Sequence, residues 1–214
     1  MSIFSTFFFF VGEIIFSIFK AKKTQKLTNR YDTSHISEQE KTHLRTQLLQ
    51  TIRIKEWRIV VQLSLTIAKI SRFDFPDSWS DLYPTLMNYL VSGDEFSRER
   101  TLFIIGQFAK EQTTKRIGHS VESFRRITRE SLNMLCQLWN VYAVKIDEQM
   151  QLFLKTILSL ERGNNFANNS PTTNNGHEMM KLLFKNFLNV TKVIRRMIVG
   201  GVPNLDDQPL ALQF

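Results

Sequence analysis

Apolar residues recur along this chain at helical spacing, in blocks separated by short polar or proline-bearing breaks. The first such block follows Ser37-Glu38-Gln39-Glu40, in which Ser37 can cap a helix and Glu40, three residues on, can return the bond. Leu44, Leu48 and Leu49 carry that helix to about Thr51. A second helix is predicted from Lys55 to Phe73. Trp57, Val60, Val61, Ser64, Ile67, Ala68 and Ser71 line one stripe, and Ile59, Leu63 and Ile70 widen it. So wide an apolar surface implies a helix sandwiched between neighbours. Pro76 restricts Phe75 and stops the helix near Asp74. Asp77 or Ser78 can cap the next one, with Asp81 at its third position. That helix spans Trp79 to Val91, with Leu82, Leu86 and Leu90 on one face, and Pro84 inside it predicts a bend or a tight first turn.

Beyond Ser92-Gly93-Asp94 the pattern predicts a long helix from Glu95 to Ile117, closed by Gly118-His119-Ser120. Two further helices are expected over Val121–Val144 and Asp147–Leu160. The Asn-rich stretch 163–176 has no core-forming pattern and reads as a flexible loop. A last helix, Glu178 to Val199, carries Leu183, Phe187, Val190, Ile194 and Met197; Gly200 and Gly201 end it. Helix pairs beginning near Ser37 and Trp79 give a period of roughly 40 residues, the spacing of stacked helical repeats of the HEAT or armadillo kind. The fold expected is therefore all-α, a HEAT-repeat array of antiparallel helix pairs over residues 26–202, with 203–214 as a tail.

Residues 1–25 stand apart. Ile3 to Phe19 is nearly all apolar, with Phe7 to Phe10 in succession, and Lys20, Lys22, Lys23 and Lys26 follow. No basic n-region precedes it, as a signal peptide would require. It falls short of the ~20 residues of a comfortable span and has Glu13 in its middle. A membrane anchor is one reading. A spliced-in or translated non-coding segment is the other, and the run of phenylalanines favours it.

Composition narrows the chemistry. A single cysteine, Cys136, rules out an internal disulfide framework and a multi-cysteine zinc site, and the four histidines lie far apart, so no metal or cofactor is expected. The net charge of +8 suits acidic partners, but Lys and Arg are interleaved with acids along helices, which argues against direct nucleic-acid reading. Trp57, Trp79, Trp139 and Phe108 read as core residues rather than stacking platforms, and Cys136 as a buried small hydrophobe. Neither a phosphate-binding glycine loop nor a nucleophile elbow is present, so an enzyme is not expected.

The corner between the second and third helices resembles one in the importin-β (karyopherin-β) family of nuclear transport receptors. Ile67, Ala68, Asp74, Pro76, Trp79, Leu82, Pro84 and Leu86 carry the likeness, and Ser80 departs from it where the family usually has proline. The stretch His35 to Lys41, Lys110, Lys115-Arg116, Cys136 to Asn140 and Lys192 to Arg196 are similar to the importin-eleven branch. The resemblance implies a fragment of a longer receptor that binds the GTP-bound small GTPase Ran, contacts nuclear pore proteins, and would take cargo through repeats beyond these. It places the protein in nucleus and cytoplasm and at the nuclear envelope. It also implies that the second helix of each pair faces Ran, which points to Lys55, Arg58, Gln62, Lys69, Arg98, Arg100, Lys110, Lys115 and Arg116.

Overall fold

The structure, a computed structural model, describes residues 37–115, 118–161 and 172–202. Residues 1–36 and 203–214, and with them the anchor reading of Ile3–Phe19, lie outside the described residues. No described helix is long and apolar enough to cross a membrane. The chain divides into two units, Met1–Leu49 and Gln50–Phe214.

In the first unit, helix α1 (Glu38–Leu49) starts as its sequence dictates. The Glu40 carboxylate accepts from the Ser37 backbone N–H at 2.8 Å, and Ser37 Oγ accepts from the Glu40 N–H at 3.2 Å. Two backbone donors at the helix start are thereby satisfied.

The second unit opens with a 3-10 turn, Gln50–Arg53. It continues with α2 (Trp57–Asp74), α3 (Leu82–Ser92), α4 (Glu95–Gln112), α5 (Gly118–Glu161) and α6 (Thr172–Gly201). Hydrogen bonds fix the directions. Gln112 on α4 donates to the Ser71 carbonyl on α2 at 3.3 Å, and Arg100 to the Ile54 carbonyl before α2 at 3.0 Å, so α2 and α4 run parallel. Asn186 on α6 reaches the Glu95 carbonyl, and Arg196 the Gly106 carbonyl, so α4 and α6 are parallel as well. Arg98 on α4 bonds the last carbonyls of α3 while Phe108 meets Tyr83 at its start, and Trp139 on α5 bonds Thr191 on α6 at 2.9 Å while Thr128 lies against Gly201, which makes α3/α4 and α5/α6 antiparallel pairs. The result is a two-layer all-α HEAT-repeat array, with α2, α4 and α6 in one layer and α3 and α5 in the other.

The sandwiched helix is α4. On α2 the buried residues are Val60, Leu63, Ser64, Ile67, Ala68 and Ser71, while Arg58, Gln62, Leu65, Lys69 and Phe73 face water. Ten of the 18 residues of α4 are buried, Glu99, Arg100, Thr101 and Gln112 among them. Those four polar residues disguise its burial in the sequence pattern. At its centre Phe108, with no exposed surface, meets Phe75 edge-on at 5.2 Å, Tyr83 at 5.6 Å and Phe124 at 6.4 Å. One ring thus joins the corner, α3 and α5.

The corner differs from its expected form. Ser78 does not cap a helix. The Ser78 and Trp79 N–H groups both turn back to the Asp74 carbonyl, at 2.7 and 3.0 Å, the Phe75–Pro76 bond is cis, and α3 begins only at Leu82. Trp79 is buried in the corner, and Leu82 and Leu86 are buried below it. Pro84 therefore falls in the first turn of α3, where its missing N–H leaves no bond unmade.

The bounds of the last three helices also differ from those expected. α4 stops at Gln112 rather than Ile117, because the Thr113 and Thr114 hydroxyls take the Lys110 and Glu111 carbonyls at 2.9 and 2.7 Å. Gly118 opens α5, and α5 is one helix of 44 residues rather than two. No proline or glycine stands between His119 and Glu161, and the polar residues near Lys145 lie on its surface. α6 begins at Thr172, inside the stretch read as loop 163–176, since a first helical turn needs no apolar pattern. Gly200 and Gly201 belong to α6 and serve packing: a Cβ at either would overlap the side chain of Thr113 or Thr128 respectively.

Two stability measurements follow from these contacts. Phe108→Ala should cost about 3–5 kcal/mol in urea unfolding. Gly201→Ala should cost about 1–3 kcal/mol despite its better helix propensity, because Thr128 cannot retreat from the α5–α6 seam.

Candidate partner-binding face

The exposed surface of the α2–α4–α6 layer gathers most of the residues singled out in the sequence. Arg58 and Gln62 stand one turn apart on α2, Lys55 just precedes it, and Lys110 lies near the end of α4. All four are exposed, and their side chains make no hydrogen bond or ion pair to other described residues.

The others are committed to differing degrees. Lys69 bonds the Glu111 carboxylate at 2.6 Å, and Arg72 reaches its other oxygen at 3.3 Å and the Thr114 hydroxyl as well. Burial pushes the Glu111 carboxyl up, but the Lys69 and Arg72 bonds and charges outweigh it and hold the group below the usual carboxylate range. Lys69 remains half-exposed, so this cluster keeps one net positive charge at the surface. Lys115 donates to the Phe75 carbonyl at 2.6 Å, and burial lowers its pKa, with Asp77 opposing and Arg72 adding to the fall. It ties the corner to the end of α4.

Arg98 and Arg100 are not on the face. Arg98 sits over the end of α3, donating to the Leu90 and Val91 carbonyls at 2.9 and 3.2 Å, where a cation offsets the negative helix end. Arg100 is buried. Its guanidinium bonds the Ile54, Lys55 and Phe96 carbonyls and Glu99, and stacks 3.1 Å from the Phe96 ring centroid. Five rigid donors suit a site ringed by carbonyls. Arg116 lies outside the described residues.

The third helix of the layer brings residues that the sequence reading missed. Lys185 on α6 stands 4.0 Å from the Trp57 ring centroid and against the Glu99 carboxylate, linking all three helices. Trp57 is only half-buried and packs edge-on against Phe103 at 5.1 Å, so it is a cation platform rather than a core residue. Trp79 and Phe108 are core, and Trp139 is half-buried beside Phe187. Lys192 is exposed, and Arg196 donates to Gly106. The available signal was the helical spacing of Lys181, Lys185, Lys192 and Arg196, which the pairing rule extends to the second helix of the third pair. Cys136 is buried, and burial raises its thiol pKa, away from a nucleophile's.

What this defines is a basic, aromatic-bordered face on a helical array. Comparison with known proteins adds a direction. Over 105 residues, 49% of its length, the chain is 31% identical to "Importin-11" of Homo sapiens, and over the same length 30% identical to "Importin-11" of Mus musculus. The chain spans 11% of the length of each of these relatives. No protein-family profile and no solved structure matches it.

Glu111 on the face and Glu95, bonded to Tyr142 and Lys145 of α5, give the stability a pH dependence. Glu95 is held below the usual range too: burial would raise it, but Lys145, Tyr142 and Arg98 prevail. A carboxylate depressed in the folded state contributes its full stability at neutral pH and loses it as pH falls through the folded value. Glu95→Gln and Glu111→Gln should each lower the melting temperature at pH 7 and flatten its decline between about pH 5 and pH 3. Melting curves by circular dichroism across that range check this.

Proposed function

We propose that this chain is the piece of a nuclear transport receptor that meets the GTP-bound form of Ran, and that it takes part in protein import into the nucleus. The observation that carries the reading is the coincidence of two things. The chain resembles Importin-11 over 105 residues, and the second helices of its pairs, α2 and α4, run side by side in parallel with Lys55, Arg58, Gln62 and Lys110 exposed. Such a face suits an acidic protein surface, through charge steering and rim contacts rather than through a deep pocket.

In this reading Trp57 and Phe103 give the face an apolar edge, and Lys69 can exchange Glu111 for an acidic group of the partner. Arg100 and Arg98 contribute by holding α2, α3 and α4 in register, not by touching the partner. Nuclear pore proteins and cargo proteins are further partners of the proposed receptor, and its residence is nucleus and cytoplasm, with passage at the nuclear envelope.

A pulldown of the chain on immobilised Ran tests the reading. Capture by the GTP-loaded form, with little by the GDP-loaded form, is the expected result, and equal capture by both defeats it. Arg58→Glu combined with Lys110→Glu should weaken capture about tenfold or more, with unchanged melting temperature, because both side chains are exposed and uncommitted.

A further inference from the structure

The basic residues of α6 are met on one side and unmet on the other. Towards α4, Lys185 faces the Glu99 carboxylate, and Arg196 donates to the Gly106 carbonyl at 2.6 Å. On the open side of the helix, Lys192 and Arg195 are exposed and make no hydrogen bond or ion pair to other described residues. α6 cannot supply their counter-charge. Glu178 is its single carboxylate, and Lys181 already holds it at 3.0 Å.

The same side carries an apolar groove. Phe187 packs on Trp139 of α5 with ring centroids 5.0 Å apart, and the Trp139 indole N–H donates to Thr191. Both rings are half-buried. Phe184 and Leu188 border them, with 42% and 53% of their surface exposed. Helical spacing sets Phe184, Phe187, Leu188 and Thr191 on one side of α6, with Lys192 and Arg195 one and two turns beyond Leu188. A half-buried aromatic pair with an apolar border and charged residues at its end is the anatomy of an anchoring site.

The chemistry of the groove selects its cover. A purely apolar cover would take Lys192 and Arg195 from water with no counter-charge, which is costly. The cover therefore brings carboxylates or phosphates. A second copy of the same face would bring only more cations. Nucleic acid would bring anions, but each ring already packs on the other, so neither stands open as a platform for a base. From Phe184 to Arg195 the groove runs about 16 Å, three turns of helix. The neighbours that already lie along α6 are the helices α4 and α5.

We propose that the groove between α5 and α6 docks an amphipathic helix of an acidic partner protein. Its apolar stripe seats on Trp139, Phe184, Phe187 and Leu188, and its carboxylates meet Lys192 and Arg195. This is the helix-in-groove mode, read through anchors at three- and four-residue spacing. The site lies apart from the α2–α4 face and is independent of any Ran binding.

Fluorescence anisotropy on the full chain tests it. The probe is a labelled peptide of about 12 residues, with leucines on one face and glutamates on the other. Saturable binding is expected. Lys192→Glu combined with Arg195→Glu should weaken it about tenfold or more at unchanged melting temperature. Leu188→Ser should weaken it about tenfold. Arg58→Glu combined with Lys110→Glu should leave it unchanged. Absence of binding overturns the proposal. So does equal binding of a control peptide with serine for every leucine, since that is charge attraction alone. Binding of a single-stranded oligonucleotide or of anionic vesicles in place of the peptide overturns it as well.

Discussion

The array depends on a charged pair that it has all but removed from water. Glu99 and Arg100 sit on α4, the helix with neighbours on most sides, and each retains about a twentieth of its exposure or less. Two such groups are costly to bury unless every valence is met. Here the guanidinium spends its donors on the Ile54, Lys55 and Phe96 carbonyls as well as on Glu99, and Lys185 supplies the second cation that Glu99 faces. The pair therefore does more than cancel charge. It pins the approach to α2, the start of α4 and the middle of α6 to one point. Phe108, two turns on, repeats the arrangement with apolar groups by joining the corner, α3 and α5. α4 is thus held polar at one end and apolar at the other, and both layers take their position from it.

Much of this was legible in the sequence because it rests on local chemistry. The Ser37–Glu40 capping box, the stop at Asp74 and the buried Leu82 and Leu86 follow from rules that operate within a turn or two. What stayed hidden depends on partners distant in sequence. Arg100 looked like one more surface cation, since nothing nearby announces that carbonyls 45 and 46 residues away converge on it. α5 looked like two helices because Lys145 and its polar neighbours read as a break, when Lys145 is in fact bonded to Glu95, 50 residues earlier. The candidate face was half legible. Periodicity exposed Arg58 and Gln62 correctly, but only the third pair of helices brings Lys185 over Trp57.

The corner at Phe75–Trp79 now has a physical role. Its backbone turns onto the end of α2, its tryptophan fills the space above α3, and its Phe75 carbonyl takes the Lys115 ammonium. It contributes nothing directly to the exposed face. Its effect is to tie the end of α2 to α4, through Lys115 on the Phe75 carbonyl and the Phe75 ring on Phe108.

The parallel alignment of α2, α4 and α6 carries a further consequence. Gln112 beside Ser71, and Thr113 against Gly200, show that the three helices finish level with one another. Their backbone dipoles therefore point the same way, and three partial negative ends collect at one rim of the layer. Side-by-side dipoles of equal sense repel. Lys69, Arg72, Lys110 and Lys115 lie along that rim, so part of their positive charge already has an internal counterpart. An acidic ligand approaching there competes with the ends of the helices themselves, and the basic rim is less of an attractor than its count of cations suggests.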